Sequence, residues 1–246
     1  MELNGKIALV TGAARRVGKV IALTLARGGA HVAITYNHSE KEARATVAEI
    51  EALGVRCLAL QVNLSQSGAV DKMAALALER FGRVDILVNN AAVFLRTPLA
   101  TLREADWDDT MNANLKGPFL TARAFGQRMV KQGSGKIINI GDWAGVRPYV
   151  DYIPYCVSKA GVIALTKNLA LALAPQVQVN CVCPGPVLPP EEYSEADRAE
   201  IIAATPLKRL GSPTDIAAAV LFLIEGSDFI TGSILMVDGG RLIGPS

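Results

Sequence analysis

Tyr155 and Lys159 stand four residues apart in "YCVSK". The apolar spacing around them predicts a helix, and side chains four apart on a helix share a face. A phenol alone, with a pKa of about 10, moves protons poorly near neutrality. An ammonium beside it favours the phenolate and brings the pair toward the range where acid/base transfer is effective. A second chemistry is written near the start of the chain, where "KIALV" runs into "TGAARRVG", Thr11 to Gly18, and then "KVIALTLARGG". A strand, a turn made tight by Gly12 and Gly18, and a helix N-terminus together form a site for a nucleotide pyrophosphate. Arg16 stands inside that turn. Without a ligand it is an exposed arginine at a helix start; with one, it is a fixed cation for phosphate.

These residues need a scaffold, and the hydrophobic pattern supplies one. "KIALV", "HVAITY", "RCLALQV", "DILVNNA", "KIINIG", "VQVNCVCP" and "ILMVDGG" read as strands, nearly continuous in apolar residues, as a sheet buried on both faces requires. Between them "VGKVIALTLARGG", "SEKEARATVAEIEALG", "SGAVDKMAALALERFG", the region from Leu102 to Lys131, and "YCVSKAGVIALTKNLALALA" read as helices. Strict alternation predicts an α/β fold: one Rossmann-like domain over residues 1–246, with a doubly wound parallel sheet of about seven strands and helices on both faces. The stretch from Pro184 to Gly211 breaks the rhythm. It is proline-rich at its start and acidic in its middle, and it follows the sixth strand at the sheet's carboxyl edge. A substrate lid over 184–211, with a short helix around Glu195 to Ala203, is expected there; a plain surface loop is the simpler alternative.

Bulk properties narrow the classes. A chain of 246 residues, half of them hydrophobic, can bury a large core. A formal net charge of +2 gives no general field for nucleic acid or membrane. The first five residues enter a strand without a basic or cleavable apolar region, and no uninterrupted apolar run reaches a membrane span, so a cytoplasmic protein is expected. Cys57, Cys156, Cys181 and Cys183 lack zinc-site spacing; no metal is expected, and buried free thiols are. Cys181 and Cys183 should share one face of their strand.

Five stretches together resemble the short-chain dehydrogenase/reductase family over nearly the whole chain. The turn is similar to the family's T-G-x-x-x-G-x-G, with Arg16 at the middle glycine. "NNAA", Asn89 to Ala92, corresponds to N-N-A-G after the fourth strand, "YCVSK" to Y-x-x-x-K, and "NANLKG" holds the structural asparagine as Asn114. "PG", Pro184 and Gly185, follows the sixth strand as it does in the family. The ordinary member carries a serine thirteen residues before the tyrosine; here that position is Asp142. The resemblance narrows to the pteridine reductases of the family. They have T-G-x-x-x-R-x-G, an aspartate for the serine, and a phenylalanine shortly after N-N-A that stacks on the pterin. Those features fall on Arg16, Asp142 and Phe94, and the "Y-x-x-S" after the second strand falls on Tyr36 and Ser39. Asn63 and Ala92 stand where many relatives carry an aspartate and some pteridine reductases a serine.

This resemblance implies a catalytic set of Asp142, Tyr155, Lys159 and Asn114, the last supporting the lysine through water. It implies a cofactor site of Gly12, Arg16, Val17 and Gly18, then Tyr36, Asn37, His38 and Ser39, then Asn63, Leu64, Asn90, Ala91 and Ala92. Tyr155, Lys159, Pro184, Gly185 and Val187 complete it. NAD-binding chains place an acid at the second strand's end. Here no acid comes before Glu40, and neutral donors at Asn37 and Ser39 with the Arg16 cation suit a 2′-phosphate, so NADP is expected. His38 borders the adenosine in this reading. A flat pterin or folate would meet Arg16, Phe94, Asp142 and Tyr155, with Phe94 adding about 1 kcal/mol of stacking beyond its area. Read alone, Phe94 is an apolar loop anchor. The expected activity is NADPH-dependent reduction of a dihydropterin or dihydrofolate. The alternatives are reduction of a 3-oxoacyl thioester or other ketone, and a nucleotide-binding regulator without turnover. Relatives are mostly tetramers, and the helix from Tyr155 is apolar nearly all round, so a homotetramer is expected.

Overall fold

All seven strands of the computed structural model, which describes residues 1–189 and 193–244, run parallel in a single sheet. They are β1 (Ile7–Val10), β2 (His31–Tyr36), β3 (Cys57–Gln61), β4 (Ile86–Asn89), β5 (Gly135–Ile140), β6 (Val177–Pro184) and β7 (Ile234–Val237). Their spatial order is β3-β2-β1-β4-β5-β6-β7. Alternate residues of one strand feed opposite cores, as the period of two requires. Ala8 and Val10 pack with α1 (Arg16–Arg27) and α8 (Pro213–Glu225), while Ile7 and Leu9 pack with α3 (Ser67–Phe81) and α5 (Gly117–Gln132). Both faces are therefore covered, which is why the strands lack polar alternation. The order reverses between β1 and β4, and ligands in such sheets bind beyond the carboxyl ends at that point.

The remaining helices are α2 (Glu40–Glu51), α4 (Glu104–Met111), α6 (Ile153–Leu173) and α7 (Glu195–Ala204). The single helical region expected from Leu102 to Lys131 is two helices, α4 and α5, joined without a break by a π-helical turn at Asn112–Lys116. The helix α8 is absent from the pattern reading, because "IAAAVLFLI" is too uniformly apolar to show a period. Its start was nonetheless marked: the Ser212 hydroxyl accepts from the Asp215 N–H at 3.3 Å, and the Asp215 carboxylate accepts from the Ser212 N–H at 2.7 Å. The 21-residue helix α6, with a mean hydropathy of 1.4 over an 18-residue window, meets the length and composition of a membrane span, which the uninterrupted-run criterion passed over. Yet the helix buries Tyr155, Ser158 and Lys159 while packing on β6, as a core helix does.

All four cysteines are buried and free, and Cys181 and Cys183 share a face with their sulfurs 3.6 Å apart. The lid expected over 184–211 contains α7, one residue longer than expected, and residues 190–192 lie outside the described residues.

Candidate active site

The glycine turn is built by contact as much as by torsion. Gly12 has φ +62, and a Cβ there would lie 2.8 Å from the Ala91 Cα. Gly18 has ordinary torsions but no room, since a Cβ would come 2.5 Å from the Asn90 amide nitrogen and 2.6 Å from the Gly12 carbonyl. Asn90 fixes the turn by donating to the carbonyls of Thr11 at 2.9 Å and Gly12 at 3.1 Å. Arg16 itself adopts φ 55, the left-handed conformation that glycine takes without strain. At the start of α1 no side chain caps the backbone and no acid lies in the first turn. That end carries no acidic side chain and has Arg15 and Arg16 beside it, a setting that favours anions. Arg16 now donates to the Leu188 carbonyl at 2.9 Å, tying the turn to the segment after β6.

A cleft of about 750 Å³ opens from this turn across the carboxyl edge of β1, β4 and β5. Val17, Tyr36, Asn37, Asn63 and Leu64 line the end of the cleft nearest this turn, together with Asn90, Ala91 and Ala92. His38 and Ser39 do not line it. His38 is exposed and Ser39 is the N-cap of α2, because the chain turns outward after Asn37. On the opposite wall stand Pro184, Gly185 and Val187, where Gly185 lets β6 approach the Asp238 backbone closely.

At the other end the Tyr155 hydroxyl donates to Asp142 Oδ2 at 2.7 Å, and the Ala144 N–H donates to Asp142 Oδ1 at 2.8 Å. Lys159 is buried; its ammonium donates to the Ile140 carbonyl at 2.8 Å and lies 5.6 Å from the centre of the Tyr155 ring. This corrects the expectation of a depressed phenol pKa. Burial, then the charge and hydrogen bond of Asp142, push Tyr155 well above its ordinary value. Burial also raises Asp142, against the opposing pull of its donors and Lys159, and it lowers Lys159. In this arrangement Tyr155 stays protonated, with its hydroxyl directed at Asp142.

Asn114 is buried on the π-helical turn. Its carboxamide accepts from the Val93 N–H at 2.8 Å and donates to the Val93 carbonyl at 2.9 Å and the Ser158 hydroxyl at 3.2 Å. It thus latches the loop after β4 and reaches the neighbour of Lys159, not the lysine itself. Asn89 is structural: it donates to Asn139 at 2.9 Å and accepts from Thr121 at 2.7 Å, binding β4 to β5 and α5.

Phe94 lines the cleft, with its ring stacked on Tyr152 (centroids 4.4 Å, interplanar 12°) and edge-on to Tyr155 at 4.7 Å. Tyr149 meets Phe94, Tyr152 and Trp143 edge-on. Sequence reasoning found Phe94 but missed Tyr149 and gave Tyr152 and Trp143 no role; irregular spacing around a loop carries no signal that three aromatics converge. Arg241, Tyr193 and Ile201 also line the cleft unforeseen, brought in by the C-terminal segment and by the segment containing α7.

A family model described as enoyl-(acyl carrier protein) reductase, adh_short_C2, matches residues 12–241. The chain belongs to the short-chain dehydrogenase/reductase family. It is 42% identical to the (2S)-[(R)-hydroxy(phenyl)methyl]succinyl-CoA dehydrogenase subunit BbsD of Thauera aromatica, over 98% of each chain. It is 40% identical to the 3-oxoacyl-[acyl-carrier-protein] reductase of Synechocystis sp., again over 98% of each. A single-substitution variant of actinorhodin polyketide ketoreductase, crystallised with NADPH, superposes with a TM-score of 0.91 at 33% identity, covering 96% of this chain and 97% of that one. The seven-stranded single-domain fold is that of the family. These relatives are dehydrogenases and ketoreductases, so membership makes the chain an oxidoreductase but does not carry the pteridine branch suggested by Arg16, Phe94 and Asp142.

Proposed function

We propose that the chain is an NADPH-dependent reductase of a pterin, a dihydropterin or dihydrofolate. One observation carries the reading: the Asp142–Tyr155 hydrogen bond faces an aromatic wall of Phe94, Tyr149 and Tyr152. A flat heteroaromatic ring suits that wall, and its N–H groups suit a carboxylate acceptor, which a ketone oxygen does not. The uncapped start of α1 with Arg16, the neutral side chain of Asn37, and Lys159 form a donor set suited to a nicotinamide nucleotide carrying a 2′-phosphate. When bound, the reduced nicotinamide supplies the hydride. Tyr155 keeps its proton until a ring nitrogen takes it, Asp142 orients that phenol and accepts from the ring, and Lys159 holds positive charge beneath the pair. The segment 184–211 acts as a lid in this reading, and α6, with Val157 and Leu171 exposed, serves a homotetramer; a monomer by light scattering at micromolar concentration would count against the latter.

A second reading has support of its own, and the relatives weigh toward it: reduction of a 3-oxoacyl thioester or related ketone. Since burial raises Asp142, its protonated carboxyl can donate, and with Tyr155 it would give a carbonyl oxygen two donors. A panel of dihydropterins and 3-oxoacyl thioesters, followed by NADPH absorbance, separates the two. Higher kcat/KM for dihydropterins supports the pterin reading, and higher kcat/KM for thioesters ends it. Tight NADPH binding without turnover of either would favour a regulator.

A further inference from the structure

One cation in the cleft has no part in the proposed reaction. Among the described residues, the charged side chains lining the cleft are Arg15 and Arg16 at the glycine turn, Asp142 and Lys159 at the reacting centre, and Arg241. Arg241 belongs with the reacting centre. Its guanidinium carbon lies 5.5 Å from the centre of the Trp143 ring, and Trp143 follows Asp142 in the chain. The backbone is built to put it there. After β7, Gly239 and Gly240 take φ +64 and +84, a left-handed pair that turns the chain sharply. The Asp238 carboxylate closes the turn, accepting from the Gly240 N–H at 2.9 Å and the Leu242 N–H at 2.7 Å. From the loop between β5 and α6, the Arg147 guanidinium donates to the Gly244 carbonyl at 3.1 Å. The main chain is thus held on both sides of Arg241.

The side chain rests on a firm platform. Trp143 is 5% exposed, and its indole N–H donates to the Tyr149 hydroxyl. Arg241 itself is half-buried and donates to the Ala204 carbonyl, at the end of α7, at 2.9 Å. Facing it from the segment around α7 are Tyr193 and Ile201, neither of them an acid. The one carboxylate described in the cleft, Asp142, is engaged by the Tyr155 hydroxyl and the Ala144 N–H. A guanidinium offers five N–H groups in a planar fork, which matches the two oxygens of a carboxylate. We propose that Arg241 is a specificity-determining residue, which binds a carboxylate carried by the substrate outside its reacting group. The inference rests on the reading above only in placing the reacting group at Asp142 and Tyr155. It holds whether the carboxylate ends the tail of a folate or the acyl chain of a 3-oxoacyl thioester, and within the pterin reading it selects dihydrofolate.

Paired substrates that differ in charge and not in size test this. One arm compares dihydrofolate with its diamide. The other compares a 3-oxoacyl thioester ending in a carboxylate with the same chain ending in a carboxamide, both on an uncharged N-acetylcysteamine carrier. In whichever arm is reduced, the wild type should prefer the carboxylate by at least about tenfold in kcat/KM, expressed in KM. Salt at about 0.5 M should shrink the preference, because a half-exposed ion pair is screened. Arg241→Gln should cut it to under about twofold, and Arg241→Lys should keep part of it, still salt-sensitive. If Arg241 serves only to tie α7 to Trp143, Arg241→Gln slows both members of a pair alike and the preference survives. That result would overturn the proposal, as would a wild type with no preference. Should Arg241→Gln fail to fold, an unchanged preference in Arg241→Lys would overturn it equally. If neither substrate class is turned over, the functional reading fails on its own. Calorimetric titration of the NADPH-loaded protein with dihydrofolate and its diamide then reads the preference as a ratio of Kd values, and equal or absent binding of the two refutes the role of Arg241.

Discussion

Replacing Gly18 with alanine adds one methyl group at the most crowded point of the nucleotide turn. The new Cβ would lie 2.5 Å from the Asn90 amide nitrogen, 2.6 Å from the Gly12 carbonyl and 2.9 Å from the Ala13 Cα, so two of the three obstacles are backbone. Overpacking of this kind costs about 1–3 kcal/mol. Moving Asn90 also breaks its bonds to the Thr11 and Gly12 carbonyls, at about 1 kcal/mol each. Alanine offsets about 1 kcal/mol of this through its better helix propensity. The net loss is about 3 kcal/mol, or about 6–12 °C in Tm for a chain this long. Because the displaced groups shape the phosphate turn, NADPH should bind at least about tenfold more weakly, a loss of roughly 1.4 kcal/mol. Differential scanning calorimetry and fluorescence titration measure both effects. Gly68→Ala is the control, in the first turn of α3 with no atom within 4 Å of its Cβ, and should be neutral or stabilising by up to about 1 kcal/mol. If Gly18→Ala melts within about 2 °C of wild type and binds NADPH normally, the contact argument is wrong.

Other outcomes follow from the same geometry. Arg16→Gly removes a left-handed strain of about 1 kcal/mol but loosens the unfolded chain by a similar amount, so Tm should barely move. NADPH should weaken about tenfold more than NADH in that variant, and equal weakening by titration would show that Arg16 does not hold the phosphate. Tyr155→Phe should bind NADPH normally and lose about 10²-fold or more in turnover; near wild-type turnover would pass the acid role to Asp142. Asp142→Asn should stabilise the protein as it inactivates it. The raised pKa of Asp142 gives stability that is complete below the unfolded value of about 4 and is lost as pH rises through the folded value. The Tm advantage of the amide should therefore grow in thermal melts as pH rises from about 4 through the folded value and level off above it, and a difference that never grows, or shrinks, would contradict the buried-charge account.

The sheet was legible because its strands are buried on both faces. "HVAITY" and "VQVNCVCP" gave β2 and β6 to the residue, and most other ends moved by one or two. The helix α8 was hidden by the opposite excess, an apolar run with no polar side to reveal its period, although its Ser212–Asp215 cap was readable. At the site, spacing located Tyr155 and Lys159, and resemblance located Asp142, Asn114 and Phe94. The sign of the Tyr155 shift was not legible. It depends first on the burial of the phenol and then on the charge and hydrogen bond of Asp142, three-dimensional facts that no four-residue spacing contains. That His38 and Ser39 fall outside the cleft lining was not legible for a similar reason, since the direction of the chain after Asn37 is set by the start of α2.

The turn at Asn112–Lys116 amounts to one residue more than an uninterrupted α-helix would hold. Deleting Ala113 should heal it, letting one regular helix run from Glu104 to Gln132 with its hydrogen bonds back in ordinary register. The healed helix would swing the Asn114 carboxamide about 100° around the axis, away from both polar groups of Val93. The loop bearing Phe94 would then come free, although the helix beneath it had become more regular. A shorter chain with more helix and less activity is the signature of an insertion retained for where it points one side chain.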